Sequence, residues 1–367
     1  MFETFSKRVD MKKIILPVLP NSALQKIDDV TIEGWFSLRS HKKTGFIENS
    51  LFDETKIKYN DAYQNDQSNS PIFLAHMNSV YQILKGNFSK CSLLIEVGCG
   101  KGRFLEIVKN DKYFDYRGFD TAYEGDDAKI EKHYLSEMDK IDADVVILRH
   151  SLDYVRRPHL FLSLLSKIFP PTAHIFIEVP QFDWIEENQV LFDFSYEHVN
   201  YFNSESLSSF FDSVILNGNL FEGQYQFVLA SLSSINLSLW NDYRTDDAWV
   251  DFDFSNYFEK FKKVIESFKD SKRLWIWGGG TKGVLFLKHL CDCDEDVFKT
   301  VVGVVDVNPK KQNHFTPSTL IKIDSPESFF EESLNGDTVV VVNPNYFSEV
   351  KEMINNTTDK SINVFSL

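Results

Sequence analysis

Residues 92–102 read Ser92-Leu93-Leu94-Ile95-Glu96-Val97-Gly98-Cys99-Gly100-Lys101-Gly102. An apolar run ends in glycines, and Arg103-Phe104-Leu105-Glu106-Ile107-Val108 continues with an amphipathic helical pattern. Glycines permit a tight turn and let a ligand press against the backbone. The helix that follows offers unpaired N–H groups at its N-terminus. On either side, helical and apolar segments alternate. Residues 79–88 and 159–169 are helical in pattern, and 116–120, 143–150 and 173–180 read as strands. Strands alternating with helices imply a parallel, doubly wound sheet.

A second α/β unit begins near residue 247. A charged helical run (253–272) precedes a strand running into glycines (273–280), a helix (281–290) and further strands (300–309, 338–344). Residues 1 to about 80 hold Pro17, Pro20 and Pro71 and few sustained periodic runs. No repeat of fixed period is present.

Composition narrows the function classes. The chain has 367 residues, 39 Lys+Arg against 54 Asp+Glu, and a net charge of −15. An acidic surface repels nucleic acid and anionic membranes, so neither is an expected partner. No run reaches the ~18 apolar residues of a membrane span. The opening MFETFSKRVDMKK lacks the apolar core of a signal peptide. Only four cysteines are present, Cys91, Cys99, Cys291 and Cys293. That is no disulfide framework, and the expected location is cytoplasmic. Cys291-Asp292-Cys293 has no second pair, so it reads as an acidic helix end and no metal is expected.

Two acids sharpen the first glycine turn. Glu96 precedes Gly98, where its carboxylate polarises the turn. Asp120 ends the next strand, where an acid can accept hydrogen bonds from ribose hydroxyls. The spacing suits NAD or S-adenosylmethionine. The E-x-G-x-G-x-G form resembles the first motif of class I S-adenosylmethionine-dependent methyltransferases. Gly98, Cys99, Gly100, Arg149 and His150 are then candidate cofactor contacts. His150 also reads as a cap for the helix after it. Tyr196-Glu197-His198 falls in a loop expected at the same sheet edge. His198 has the pKa range of a general base, Glu197 suits fixing its tautomer, and Tyr196 suits donation to a developing oxyanion. The same three residues also fit an ordinary surface loop.

Four stretches together resemble the sugar C-methyltransferase family, which includes C-3 methyltransferases of TDP-4-keto-deoxysugars. They are Tyr63–Ser70 with His76, Glu96–Gly102, Tyr196-Glu197-His198-Val199-Asn200-Tyr201-Phe202, and Trp277–Gly283 continuing into Asp306–Gln312 with Pro317. The resemblance runs from about residue 15 to the C-terminus. It implies a small irregular N-terminal domain over the substrate (1–80), a class I methyltransferase Rossmann-like domain (81–245), and a smaller Rossmann-like domain associated with the nucleotide sugar (246–367).

The reaction it implies needs no metal, because a keto group already acidifies the adjacent C–H bond. A base removes that proton and the enolate carbon takes the methyl group. His198 matches the family's proposed base, Tyr196 and Glu197 its supporting residues, and Tyr63 a tyrosine reaching in from the N-terminal part. Gln67 joins the cofactor contacts. Lys282, Tyr201 and Tyr154 stand as substrate contacts, with Lys282 toward phosphate. Two departures stand out. Family members carry an N-terminal zinc site of paired cysteines, but here His41-Lys42-Lys43-Thr44-Gly45 occupies that place and no cysteine precedes Cys91. Some members have histidine where this chain has Tyr154. Methylation of oxygen or nitrogen, and a non-catalytic nucleotide-sugar-binding role, remain alternatives.

Overall fold

The computed structural model describes residues 11–59, 62–241, 243 and 245–367. The stretch Met1–Asp10, on which most of the N-terminal leader reading rests, lies outside them.

The central sheet has seven strands. In spatial order they are Leu216–Leu220, Tyr225–Ser231, His174–Pro180, Val145–Arg149, Leu93–Val97, Asp115–Phe119 and Ile130–Glu131. The last five are mutually parallel, and the first two form an antiparallel hairpin on the edge. The parallel strands are near-continuous apolar runs because helices cover both faces. Val145–Arg149 is buried at all five positions. Strand order reverses between Leu93–Val97 and Val145–Arg149, which opens a crevice at their carboxyl ends.

A second sheet repeats this logic in the C-terminal third. Its order is Ile323–Asp324, Val301–Val305, Leu274–Trp277, Thr338–Val341 and Asn363–Ser366, all parallel. The helix Thr281–Cys293 follows its first strand. A Cβ at Gly283 would stand 1.7 Å from the Gly278 carbonyl oxygen, so only glycine lets this helix start against its turn.

The N-terminal part is more ordered than its sequence suggested. Ile14–Pro17 pairs with Glu33–Phe36. Leu38–His41 and Ile47–Asn49 form the middle of a four-stranded antiparallel sheet whose outer strands are Trp249–Asp251 and Asn200–Tyr201. Strands of three or four residues are too short to show a period, and both outer partners come from far along the chain. His41 lies in the stretch the resemblance sets against the family's paired cysteines. It is fully buried, edge-on to Trp249 at 5.1 Å and stacked beside Trp240 at 6.2 Å.

The helix Pro71–Asn87 crosses the expected boundary at residue 80. It starts where Ser70 accepts the Phe73 N–H and proline occupies the first turn. Phenylalanines hold the parts together. Phe194 packs on Phe254 (5.1 Å) and Tyr257 (5.0 Å), and Phe192 packs on Phe286 (5.6 Å). One apolar cluster therefore runs from the N-terminal hairpin to the second sheet. No helix among the described residues is long and apolar enough to cross a membrane.

Replacing Gly283 by Ala is expected to destabilise the chain by at least about 3 kcal/mol, because a backbone carbonyl cannot move aside. Urea unfolding measures this. A loss under about 1 kcal/mol would mean that the turn relaxes freely.

Candidate active site

Gly98, Gly100 and Gly102 all have left-handed φ values, of 77°, 55° and 76°. A Cβ on Gly98 would press on the Ser151 Cβ at 2.8 Å, whereas Gly100 has no atom within 4 Å on that side. The Gly100 backbone faces an open cavity. Its N–H donates to Asp120 Oδ2 at 2.8 Å, and the Ala122 N–H donates to Oδ1 at 2.8 Å. Asp120 therefore stiffens the turn and is not among the residues lining the cavity. This differs from the direct ribose contact expected of it. The Gly279 N–H makes the same bond to Asp306 Oδ2 at 2.8 Å in the second unit.

Glu96 is buried, and its Oε2 has no hydrogen-bond partner. Burial pushes its carboxyl up to about 7, against the pull of Arg149. Arg149 Nε donates to Glu178 Oε2 at 2.7 Å, while its Nη1 lies 4.0 Å from Glu96 Oε1. His76 Nε2 approaches Glu178 Oε1 at 2.6 Å, and His150 Nε2 lies 3.7 Å from the same oxygen. Burial opposes ionisation of Glu178, but Arg149, His150 and His76 together hold its carboxyl well below the usual range. Burial pulls His150 down to about 4. His76, His150 and Glu178 are close enough to suggest a metal cluster. However, two ligands sharing an ion held at about 2.0–2.2 Å would stand further apart than the 2.6 Å between His76 Nε2 and Glu178 Oε1. Arg149 also holds the carboxylate's other oxygen, which makes this an ion network.

The loop carrying the Tyr-Glu-His run is bent by its own anchors. Tyr201 Oη accepts the Ser195 N–H (2.9 Å) and donates to the Ser195 carbonyl (3.1 Å). Asn200 Nδ2 donates to the carbonyls of Leu152 (3.0 Å) and Val155 (2.6 Å). These bonds bring His198 to the segment after strand Val145–Arg149. His198 Nε2 lies 3.1 Å from Tyr154 Oη and 3.7 Å from Asp153 Oδ2. Burial pulls the imidazole down to about 3, with His150 and Lys282 adding to the effect.

Glu197 does not pair with His198. It turns the other way and accepts from Tyr63 Oη at 2.9 Å, and burial pushes it up to about 8. Tyr196 points into the N-terminal part, where its Oη accepts the Asp53 N–H at 3.0 Å and its ring lies over Gly34. None of Tyr63, Tyr196, Glu197 and Tyr201 lines the cavity. The donor role expected of Tyr196 and the substrate contact expected of Tyr201 give way to bracing of the loop.

Both glycine turns open on one cavity of about 370 Å³. Gly98, Cys99, Gly100, Arg149 and His150 line its first side, with Gln67, Tyr154 and His198 beside them. Gly278, Gly280 and Lys282 line the opposite side. Gln67 Oε1 accepts from Tyr346 Oη at 2.9 Å across the cavity rim. Lys282 is paired with Asp193 at 2.6 Å and lies over the Trp184 ring at 4.9 Å. Sequence reading missed Asp153 and Lys311. Asp153 is buried with both carboxylate oxygens unpartnered. Lys311 is buried, donates to Asn21 Oδ1 at 3.1 Å, and lies 3.9 Å from Asp306. Asp153 lies in the polar run after the strand Val145–Arg149 and Lys311 in the stretch Asp306–Gln312, and spacing alone singles out neither.

The first side suits a cationic amino-acid cofactor bearing ribose. The uncovered Gly100 backbone, the unpartnered Glu96 oxygen and the buried carboxylates fit S-adenosylmethionine. Residues 79–214 match the family described as a methyltransferase domain. Residues 252–365 match the family described as a C-methyltransferase C-terminal domain. The chain is a methyltransferase, and its cofactor is S-adenosylmethionine. Structural neighbours include an S-adenosylmethionine-dependent methyltransferase from Archaeoglobus fulgidus (19% identity, 44% of this chain and 100% of that one, TM-score 0.31). An O-methyltransferase family protein from Burkholderia thailandensis overlaps at 14% identity (50% of this chain, 64% of that one, TM-score 0.37). A methyltransferase from Clostridium acetobutylicum overlaps at 9% identity (43% of this chain, 91% of that one, TM-score 0.34). No curated protein matches significantly.

Asp120→Ala is expected to weaken binding of S-adenosylhomocysteine at least tenfold, about 1.4 kcal/mol, by loosening the Gly100 turn. Calorimetry reads this, and an unchanged Kd would show that the turn holds without the acid. A second expectation concerns pH. Folded Glu96 keeps a proton up to about 7 that the unfolded chain releases near 4.5. The folded state binds more protons in that window, so its stability falls as pH rises through it. Glu96→Gln should flatten the ligand-free protein's Tm between pH 5 and 8. An equally steep Tm curve in the variant would place the effect on other groups.

Proposed function

We propose that the chain methylates a carbon next to the keto group of a nucleotide-linked deoxy-ketosugar, through an enolate of the sugar. The observation that carries this reading is the placement of His198, in the wall of the one cavity onto which both glycine turns open. The cofactor supplies an electrophilic methyl group. The substrate carbon must therefore lose a proton to a nearby base, and a keto group makes that proton acidic enough for a side chain to remove.

His198 is the base in this reading. Tyr154, at 3.1 Å from its Nε2, orients the ring. Glu197, tied to Tyr63 on the far side of the loop, braces the segment that carries the base. Glu96, Gly98, Cys99, Gly100, Arg149, His150 and Gln67 surround the cofactor. Lys282 and the second glycine turn face the substrate's nucleotide end, where a cation and open N–H groups suit phosphate.

Under this reading residues 1–80 cover the sugar, 81–245 hold the cofactor, and 246–367 hold the nucleotide. A C-methyltransferase C-terminal family match over 252–365 supports transfer to carbon. The four free cysteines support a reducing, cytoplasmic setting.

His198→Asn should abolish turnover of a TDP-4-keto-deoxysugar while leaving S-adenosylhomocysteine binding intact. With deuterium at the α-carbon, product should form only with loss of the label. Methylated product that retains full deuterium would overturn transfer to carbon and leave oxygen or nitrogen as the acceptor.

A further inference from the structure

Asp153 has no structural explanation. It is 1% exposed, and neither carboxylate oxygen has a hydrogen-bond partner. A buried carboxyl without partners costs several kcal/mol in ordinary packing. Yet the side chain sits on the cavity wall, in the same wall as His198 and Tyr154. Its Oδ2 lies 3.7 Å from Nε2 of His198, the same nitrogen that Tyr154 approaches at 3.1 Å.

The surroundings of His198 make this geometry consequential. Lys282, on the facing helix Thr281–Cys293, and His150, at the end of the strand Val145–Arg149, both disfavour a positive imidazole. Burial disfavours it more. Glu197, the neighbour in sequence, faces Tyr63 on the other side of the loop. A base in this position gains a proton only if an anion answers the charge. Asp153 is the carboxylate that faces the ring. Around Asp153 itself, burial and the charge of Glu178 both favour the protonated form, pushing it up to about 7.

We propose that Asp153 shares the proton that His198 withdraws from the substrate, acting through His198 as a positioning residue for the base. This rests on the reading of His198 as the base. The balance is simple. The substrate C–H bond breaks, its electron pair stays on carbon, and the proton passes to Nε2 of His198. Asp153 starts this step as the carboxylate, and the proton moves from Nε2 to its Oδ2, so the pair ends as neutral imidazole and neutral carboxylic acid while the negative charge passes to the enolate. No net charge is left in the cavity wall, and no further reactant is required. The 3.7 Å gap is longer than a hydrogen bond, and such contacts commonly tighten when the cavity fills. The Tyr154 hydroxyl fixes the ring plane in which this nitrogen faces the carboxylate.

The test uses the full chain saturated with S-adenosylhomocysteine and labelled with 15N-histidine. In the wild type the ring nitrogens of His198 should report a titration with a midpoint near pH 7, sensed from the shared proton. In Asp153→Asn that midpoint should fall by at least two pH units. Infrared spectra of the wild type should show a protonated aspartate carbonyl band that fades through the same midpoint and shifts in His198→Asn. This second measurement decides the matter even if Asp153→Asn does not fold.

A His198 titration unchanged by Asp153→Asn, or no protonated aspartate band responding to His198→Asn, would overturn the proposal. Deuterium washout from the α-carbon of a TDP-4-keto-deoxysugar gives the kinetic arm. It should slow at least a hundredfold in Asp153→Asn, with partial recovery toward high pH absent. If the wild type exchanges no deuterium, the ketosugar reading fails, and the titration still decides whether Asp153 governs His198.

Discussion

The side-chain amide of Asn200 fastens one loop to another, and the cavity depends on that bond. Asn200 is 1% exposed and donates to two backbone carbonyls, those of Leu152 and Val155. Charge-free hydrogen bonds of this kind contribute only about 1 kcal/mol each, but leaving the buried amide and the Val155 carbonyl unpaired would cost more. The consequence is geometric. His198 is held two residues before Asn200, and Asp153 and Tyr154 are held between the two carbonyls. The hydroxyl of Tyr154 and the carboxyl of Asp153 thus converge on the ring nitrogen of His198, more than forty residues further along the chain.

Around that point the chain uses one device twice. An acid at the end of the second strand of each parallel unit binds a glycine N–H in the turn after the first strand. Asp120 does this for Gly100 and Asp306 for Gly279. The bond keeps each turn open toward the crevice where strand order reverses. Because the two units dock with these crevices facing one another, one cavity receives both turns. The aromatic cluster around Phe194 keeps that docking fixed, and the Lys282–Asp193 ion pair joins the two sides at the cavity wall.

The buried charges follow from the same docking. Glu96, Asp153 and Glu197 are all pushed upward by burial, and His150 and His198 downward. Every one of these shifts favours the neutral form, as expected where water is displaced. Glu178 is the exception, since Arg149 and His76 compensate its charge directly.

Much of this was legible in the sequence. The apolar run into Gly98-Cys99-Gly100, the later run into Gly278-Gly279-Gly280 and the spacing of Asp120 and Asp306 determined two parallel α/β units, because strand periodicity and glycine turns are local properties. The Tyr-Glu-His run marked the loop that carries His198. Tertiary structure decided the rest. The strands of residues 14–49 are visible only once their partners at 200–201 and 249–251 are in place. Tyr196 and Tyr201 brace the loop, and Asp120 stiffens a turn, because side-chain direction in a bent loop depends on its anchors. Asp153 acquires meaning only beside His198, since burial and proximity arise from packing and leave no trace in a single sequence.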